Sequence, residues 1–164
     1  MITQSELKEL IHYNPDTGVF TRISSPRKHN IGIIKTCASS GTGYFLIGLF
    51  GKLYYAHRLA WLYVHGVWPK EQIDHINRDK IDNRLVNLRE ASSAQNRNNI
   101  GIRSSNKSGF KGVSYDKRAG AWRALIGIDG KQKHLGYYPA QESASAAYES
   151  AAKTIHAEFY YRAA

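Results

Sequence analysis

Residues 73–99, IDHINRDKIDNRLVNLREASSAQNRNN, limit the possible folds of this chain more than any other stretch. Asp74 and His75 stand side by side on a predicted short strand that follows a hydrophobic run. Asn87 comes twelve positions after His75, and Asn96 comes nine positions later in a polar segment with helical character. The pattern therefore predicts a compact strand, loop and helix that carry a carboxylate, an imidazole and two carboxamides.

These side chains can together hold one hard divalent cation and a water molecule beside a phosphate. Asp74 offers a carboxylate and Asn96 a neutral carbonyl oxygen, and Mg²⁺ needs only one or two protein ligands of this kind. His75 titrates near neutral pH, so it is the candidate base for an attacking water. Asn87 is expected to brace the loop between strand and helix. The residues thus indicate metal-assisted hydrolysis of a phosphodiester.

The charge of the chain favours a polyanionic partner. Twenty-three Lys and Arg residues face thirteen Asp and Glu residues, which gives a formal net charge of +10, and a surplus of this size is typical of proteins that bind nucleic acid. We expect no membrane span and no secretory signal, because no long apolar run is present. The single cysteine, Cys37, cannot form an internal disulfide, and we expect no zinc site.

Local patterns predict an α+β chain with two domains. Apolar spacing predicts an opening helix over 5–13, and Asn14-Pro15-Asp16-Thr17-Gly18 predicts a turn before a strand at Val19 and Phe20. A polar loop is predicted over 24–40. The stretch 44–55 reads as two strands around a turn at Phe50-Gly51-Lys52, and a helix is predicted over 56–64. Leu85, Leu88 and Ala91 are expected to lead into a final small helix, 93–99.

The pattern changes beyond residue 100. Residues 101–107 lack a hydrophobic period and are the predicted linker between a domain over 1–100, with its core over 53–100, and a domain over 108–164. In the second domain three short strands are predicted, over 110–115, 122–128 and 133–138, and Asp129-Gly130 is a hairpin signal. A helix with alanines along one stripe follows. We expect a three-stranded antiparallel sheet packed on one helix.

The segments DH, NRLVNLR and QNRNN resemble the ββα-metal motif of the HNH endonucleases, in particular the phage and intron-encoded homing type. Residues 17–20, 43–44 and 56–61 resemble the segment that precedes this motif in phage enzymes. The resemblance implies that His75 is the general base, that Asn87 braces the loop, and that Asp74 and Asn96 bind the metal. It implies Mg²⁺ as cofactor, with Mn²⁺ also supporting activity.

Residues 108–164 resemble the DNA-binding domain of the plant ethylene-response-factor type. The matching pieces are Phe110-Lys111-Gly112-Val113, Trp122-Arg123-Ala124, Leu135-Gly136-Tyr137-Tyr138 and the alanine-rich helix. The resemblance implies that a three-stranded sheet enters the major groove of double-stranded DNA. The implied contact residues are Lys111, Tyr115, Arg118, Trp122, Arg123, Lys131 and Lys133.

The sequence as a whole predicts a site-specific DNA endonuclease of homing or phage type, which nicks or cuts double-stranded DNA. Two alternatives stay open: a DNA-binding regulator whose nuclease motif is inert, and a structure-specific nuclease that acts on branched DNA. One metal site nicks one strand, so a double-strand break needs a homodimer or two successive events, and no coiled-coil pattern marks a dimer interface. The expected location is the cytoplasm of a phage-infected bacterium.

Overall fold

The computed structural model describes residues 1–24, 31–34, 41–102, 104–128 and 130–160. Cys37, Asp129 and most of the predicted loop 24–40 lie outside the described residues. The chain divides into two compact units, Met1–Ser92 and Ser93–Ala164, and the mixed α+β class predicted from the sequence is confirmed. The predicted linker, 101–107, falls inside the second unit, and the proposed domain boundaries remain a prediction.

The first unit opens with a short helix and a small antiparallel sheet. Helix α1, Gln4–Leu10, begins at a capping box in which Thr3 and Glu6 bond each other's backbone N–H groups. The helix predicted to reach Tyr13 ends earlier because Ile11–Tyr13 forms strand β1, which pairs with β2, Phe20–Arg22. Strand β3, Gly32–Ile33, pairs with the other side of β2.

A hairpin and a helix complete the core of this unit. Strands β4, Leu46–Leu49, and β5, Lys52–Tyr55, pair around a two-residue turn in which both Phe50 and Gly51 have positive φ, as a type I′ turn requires. Helix α2, Ala56–His65, follows at once and ends at a left-handed Gly66. The predicted hairpin and helix are both confirmed. Their apolar side chains share one core with α1 and the first sheet.

The stretch after α2 contains a strand that sequence patterns missed. Strand β6, Gln72–His75, pairs antiparallel with β7, Leu88–Ala91. The predicted helix over 93–99 is confirmed, whereas Leu88 and Ala91, which were expected to lead into it, lie buried in strand β7, which the sequence did not predict. Helix α3, Ser93–Asn99, then begins the second unit.

The second unit continues with a three-stranded sheet and one long helix, as predicted. Strands β8, Val113–Asp116, β9, Ala121–Ile128, and β10, Lys131–Tyr138, are antiparallel with β9 in the centre. Helix α4, Gln141–His156, covers one face of the sheet and buries Ala144, Tyr148 and Ala152 there. Within the ranges described, no helix is long and apolar enough to cross a bilayer.

The N-terminal turn of the first unit lies against the loop that follows β6. Leu85 donates its backbone N–H to the Pro15 carbonyl at 2.8 Å, and the Tyr13 hydroxyl donates to the Asn83 carbonyl at 2.7 Å. Gly18 has φ +72°, and a Cβ at this position would lie 2.7 Å from the Arg84 backbone nitrogen. The turn therefore fixes the position of this loop and requires glycine.

We predict that Gly18→Ala lowers the free energy of unfolding by about 2–4 kcal/mol, because it combines left-handed backbone strain with overpacking. Gly51→Ala is the matched control, since Gly51 has φ +71° and a Cβ added there would meet nothing within 4 Å; it should cost only about 1–2 kcal/mol. Urea unfolding followed by circular dichroism measures both. Equal losses in the two variants would contradict the close approach of Gly18 to the loop.

Candidate active site

The end of β6 brings a buried carboxylate and a buried imidazole together. Asp74 and His75 are each 4% exposed, and in the β6–β7 register they face Arg89 and Leu88. Arg89 donates from Nε and Nη2 to one oxygen of Asp74, at 2.9 and 2.7 Å. A buried carboxylate is costly without such a partner, so Arg89 both stabilises Asp74 and fixes the orientation of its carboxylate.

The His75 ring is held by an asparagine from the following loop. Its Nε2 lies 3.4 Å from Oδ1 of Asn83, and the amide nitrogen of Asn83 donates to the Ile81 carbonyl at 3.0 Å. Because the amide nitrogen of Asn83 bonds Ile81, its Oδ1 is the atom that faces the His75 ring. Burial lowers the pKa of His75, while the Asn83 bond and nearby carboxylates oppose that change.

A second buried histidine lies against the first. The ring centroids of His57 and His75 are 5.1 Å apart in an edge-to-face arrangement, and Tyr55 stacks on His57 at 5.4 Å. Burial lowers the pKa of His57 to about 3, helped by His75 and Arg58. The Nδ1 atom of His57 is buried and has no hydrogen-bond partner in the described part of the chain, so this ring packs as a neutral group.

Asn87 holds the loop between the two strands. Its Oδ1 accepts the Asn77 backbone N–H at 2.9 Å, and its amide nitrogen donates to Asn77 Oδ1 at 2.9 Å and to the Asp82 carbonyl at 2.8 Å. The backbone N–H of Ile76 also donates to the Asn87 carbonyl at 2.9 Å. One buried carboxamide thus ties both ends of the loop that presents Asn83 to His75.

Asn96 lies half-buried on α3, in the second unit. Within that unit, two contacts anchor the end of α3. The Lys111 ammonium donates to the carbonyls of Asn98 and Ile100 at 2.6 and 2.7 Å, and Asn98 bonds the His156 ring at 3.0 Å. Lys111, predicted as a DNA contact, therefore caps a helix C-terminus, where a cation is favoured.

The other predicted DNA contacts fall on different parts of the second unit. Tyr115 and Trp122 are paired across β8 and β9 with ring centroids 5.2 Å apart. Arg123 points to the opposite face because strand residues alternate, and its guanidinium lies 3.8 Å from the Asp116 carboxylate. Arg118 lies in the exposed β8–β9 turn. Lys131 and Lys133 are exposed on β10.

Sequence patterns did not identify Arg89, Asn83 or His57 as parts of the site. Asn83 sits in an asparagine-rich loop, where the sequence favours a turn role at least as much as a phosphate contact. The apolar context of His57 predicts a hydrogen-bonded core residue. Arg89 reaches Asp74 only because β6 and β7 pair, and that pairing joins residues far apart in sequence. No local signal distinguishes it.

The donors present fit a hard cation better than a soft one. No group of three His, Cys, Asp or Glu side chains within the described ranges is arranged to hold a metal ion. An all-protein cage is not what Mg²⁺ requires, because this ion keeps several waters and takes oxygen ligands from one or two side chains and from phosphate. The carboxylate of Asp74 is an oxygen donor of this kind.

The candidate site lies within a segment that is similar to a known protein family. Residues 54–98 match the family model of the HNH endonucleases, and this segment contains all four residues predicted for the catalytic and metal site. The match covers about a quarter of the chain, from the end of β5 to α3. Residues 54–98 are thus similar to the HNH endonucleases.

Two individual proteins are similar over longer stretches. Protein 3.8 of Escherichia phage T7 is 36% identical over 80 residues, which are 48% of this chain and 66% of that protein; the alignment therefore spans just under two thirds of the relative. A solved structure of the HNH homing endonuclease I-HmuI, described for DNA binding and cleavage, aligns with 82% of this chain and 74% of its own at 23% identity and a TM-score of 0.45.

The buried His57 predicts a pH dependence of stability. Its pKa is lowered to about 3 in the folded chain and is near 6.5 when unfolded. Below pH 6.5 the unfolded chain therefore binds a proton that the folded chain does not, and stability falls as the pH drops toward 3. The slope contributed by His57 should approach about 1.4 kcal/mol per pH unit.

Urea unfolding at a series of pH values measures this slope, with His57→Gln as the comparison. The variant lacks the titrating ring that faces His75, Arg58, Tyr44 and Tyr55, so its stability should change less between pH 6.5 and 4. The same slope in both proteins would show that His57 is not buried as a neutral ring.

Proposed function

We propose that this chain is a divalent-metal-dependent, site-specific DNA endonuclease of homing or phage type, which hydrolyses phosphodiester bonds. The observation that carries the proposal is that Asp74 and His75 are neighbours at the buried end of β6, inside the segment that matches the HNH endonucleases. A carboxylate beside an imidazole provides a cation ligand and a base in one place.

His75 is proposed to take the proton from the attacking water. Burial lowers its pKa, so the ring is neutral at neutral pH and can accept a proton. The Asn83 contact orients the ring, and the ring nitrogen that carries the lone pair is the proposed base. Asn87 acts through the loop it ties, because that loop places Asn83 against the ring.

Asp74 and Asn96 are proposed as the protein ligands of one Mg²⁺ or Mn²⁺ ion. For Asp74 the support is its oxygen chemistry and its position beside His75; for Asn96 it is the spacing shared with the HNH pattern. When bound, the ion supplies charge neutralisation at the phosphoryl and leaving oxygens. Arg89 orients the Asp74 carboxylate through two hydrogen bonds.

The second unit is proposed to hold DNA. Residues 93–164 contain eleven Lys and Arg against five Asp and Glu, and their sheet-and-helix arrangement is compatible with the resemblance to the plant ethylene-response-factor domain. Because phosphate contacts release counterions, the affinity for DNA should fall steeply with salt. The similarity to a phage T7 protein supports the cytoplasm of an infected bacterium as the place of action.

We predict that His75→Ala reduces the rate of Mg²⁺-dependent DNA cleavage by about 10²- to 10⁴-fold, the range that general bases contribute, while DNA affinity stays within about twofold. His12→Ala is the matched control, because His12 is an exposed histidine of the same unit and should cut at the parental rate. Cleavage of a phage or host genomic library, read by sequencing the new ends, measures both. Parental cleavage by His75→Ala would rule out His75 as the base.

A further inference from the structure

A cleft of about 480 Å³ opens beside the β8–β9 hairpin of the second unit. One wall is the cross-strand pair Tyr115 and Trp122, and the other is the loop around Asn106 and Ser108. The cleft lies on the α4 side of the sheet, because Trp122 packs with Val113, Ala124 and Ala144. Its aromatic wall is therefore on the opposite face of the sheet from Arg123.

The aromatic wall has the properties of a stacking platform. Tyr115 is 52% exposed, and its ring meets the edge of Trp122 at 5.2 Å. Within the described part of the chain, neither the Tyr115 hydroxyl nor the Trp122 indole N–H has a hydrogen-bond partner. Rings with an apolar body and an unused polar tip are suited to a ligand that is itself aromatic and polar.

The loop wall is preformed. The side-chain oxygen Oδ1 of Asn106 accepts hydrogen bonds from the backbone N–H groups of Ser108 and Gly109, each at 2.9 Å. The Ser108 hydroxyl donates to the Val113 carbonyl at 2.8 Å, which ties the loop to β8. A wall that is already ordered loses little conformational entropy when a ligand enters.

Two lysines give the cleft a positive charge. Lys107 lines it from the loop and Lys117 from the β8–β9 turn, and both are exposed. Neither ammonium lies within 4.0 Å of a carboxylate in the described ranges. Aromatic rings between lysines on a basic unit match the chemistry of a nucleotide, in which a planar base is linked to phosphates.

We propose that this cleft takes a single unstacked nucleobase of DNA, with the neighbouring phosphates on Lys107 and Lys117. The inference rests on the proposed function and specifies its substrate. A base in continuous duplex is stacked on both sides and must be extruded at a cost before it can enter. The second unit therefore prefers DNA that carries an unpaired base, such as a bulge or a branch point, over a continuous duplex.

The test measures binding of the full chain in EDTA by fluorescence anisotropy. The two probes are a labelled duplex and the same duplex with one unpaired adenine. The parent should bind the bulged probe more tightly. Tyr115→Ala should weaken binding to the bulged probe by about 5- to 150-fold, the effect of losing one base–aromatic stack, and change duplex binding little. Tyr115→Phe keeps the ring and should retain the preference.

Charge variants give an independent readout. Lys107→Gln and Lys117→Gln should each reduce the salt dependence of binding to the bulged probe by about one unit of slope. Tyr115 is half exposed and paired with Trp122, so its truncation should lower the free energy of unfolding by only about 1 kcal/mol or less. Urea unfolding of the variant checks that the chain stays folded. Equal affinity of the parent for both probes, or an undiminished preference in Tyr115→Ala, overturns the proposed cleft.

Cleavage in Mg²⁺ is scored separately on the same two DNAs. A chain that cuts DNA but shows no bulge preference contradicts only the nucleobase cleft. A chain that prefers bulged DNA but produces no ends contradicts the endonuclease proposal and leaves the cleft standing. The two failures are thus distinguishable.

Discussion

The buried carboxamide of Asn87 is the contact on which the geometry of the site depends. Its three side-chain hydrogen bonds close the loop between β6 and β7 at both ends. A buried amide of this kind is costly to leave unpaired, so the loop has one favoured conformation. In that conformation the Asn83 side chain lies against His75, and the backbone of Asn83 and Arg84 packs against the N-terminal turn at Gly18. Two distant parts of the first unit therefore support one imidazole.

The site also combines one ionised side chain, the carboxylate of Asp74, with two neutral imidazole rings, those of His75 and His57. The carboxylate of Asp74 is paired with Arg89, whereas His75 and His57 lie edge to face among tyrosines, where burial lowers the pKa of each. A base must be neutral to accept a proton, whereas a carboxylate binds a metal in its ionised form. Adjacent residues at the end of one strand meet both needs, because Arg89 stabilises the charge of Asp74 while burial favours the neutral ring of His75.

Much of the fold follows from local signals in the sequence. The turn before β2, the Phe50-Gly51 hairpin turn, the end of α2 at Gly66 and the alanine stripe of α4 each depend on residues close in sequence, and the structure contains them at the predicted positions. The early end of α1 and strand β7 were missed for the opposite reason. Both depend on pairing with another strand, β2 for the residues after α1 and β6 for β7, and that pairing overrides an ambiguous local pattern.

The candidate site shows the same division. The HNH pattern points to Asp74, His75, Asn87 and Asn96, but the supporting residues Arg89 and Asn83 emerge only from strand register and loop closure. In the second unit, the sequence could not predict that strand register places Tyr115 opposite Trp122. Nor could it predict that Lys111 binds the end of α3.

The central proposal is that one divalent ion is bound at Asp74, beside the proposed base His75. The most direct measurement is anomalous diffraction from crystals of the full chain grown with Mn²⁺ and DNA. The account predicts one manganese peak with the Asp74 carboxylate and the Asn96 amide oxygen about 2–2.3 Å away, as expected for a hard cation bound by oxygen. A manganese peak held by other residues, or DNA bound in a cleavable position with no metal near Asp74, would contradict it.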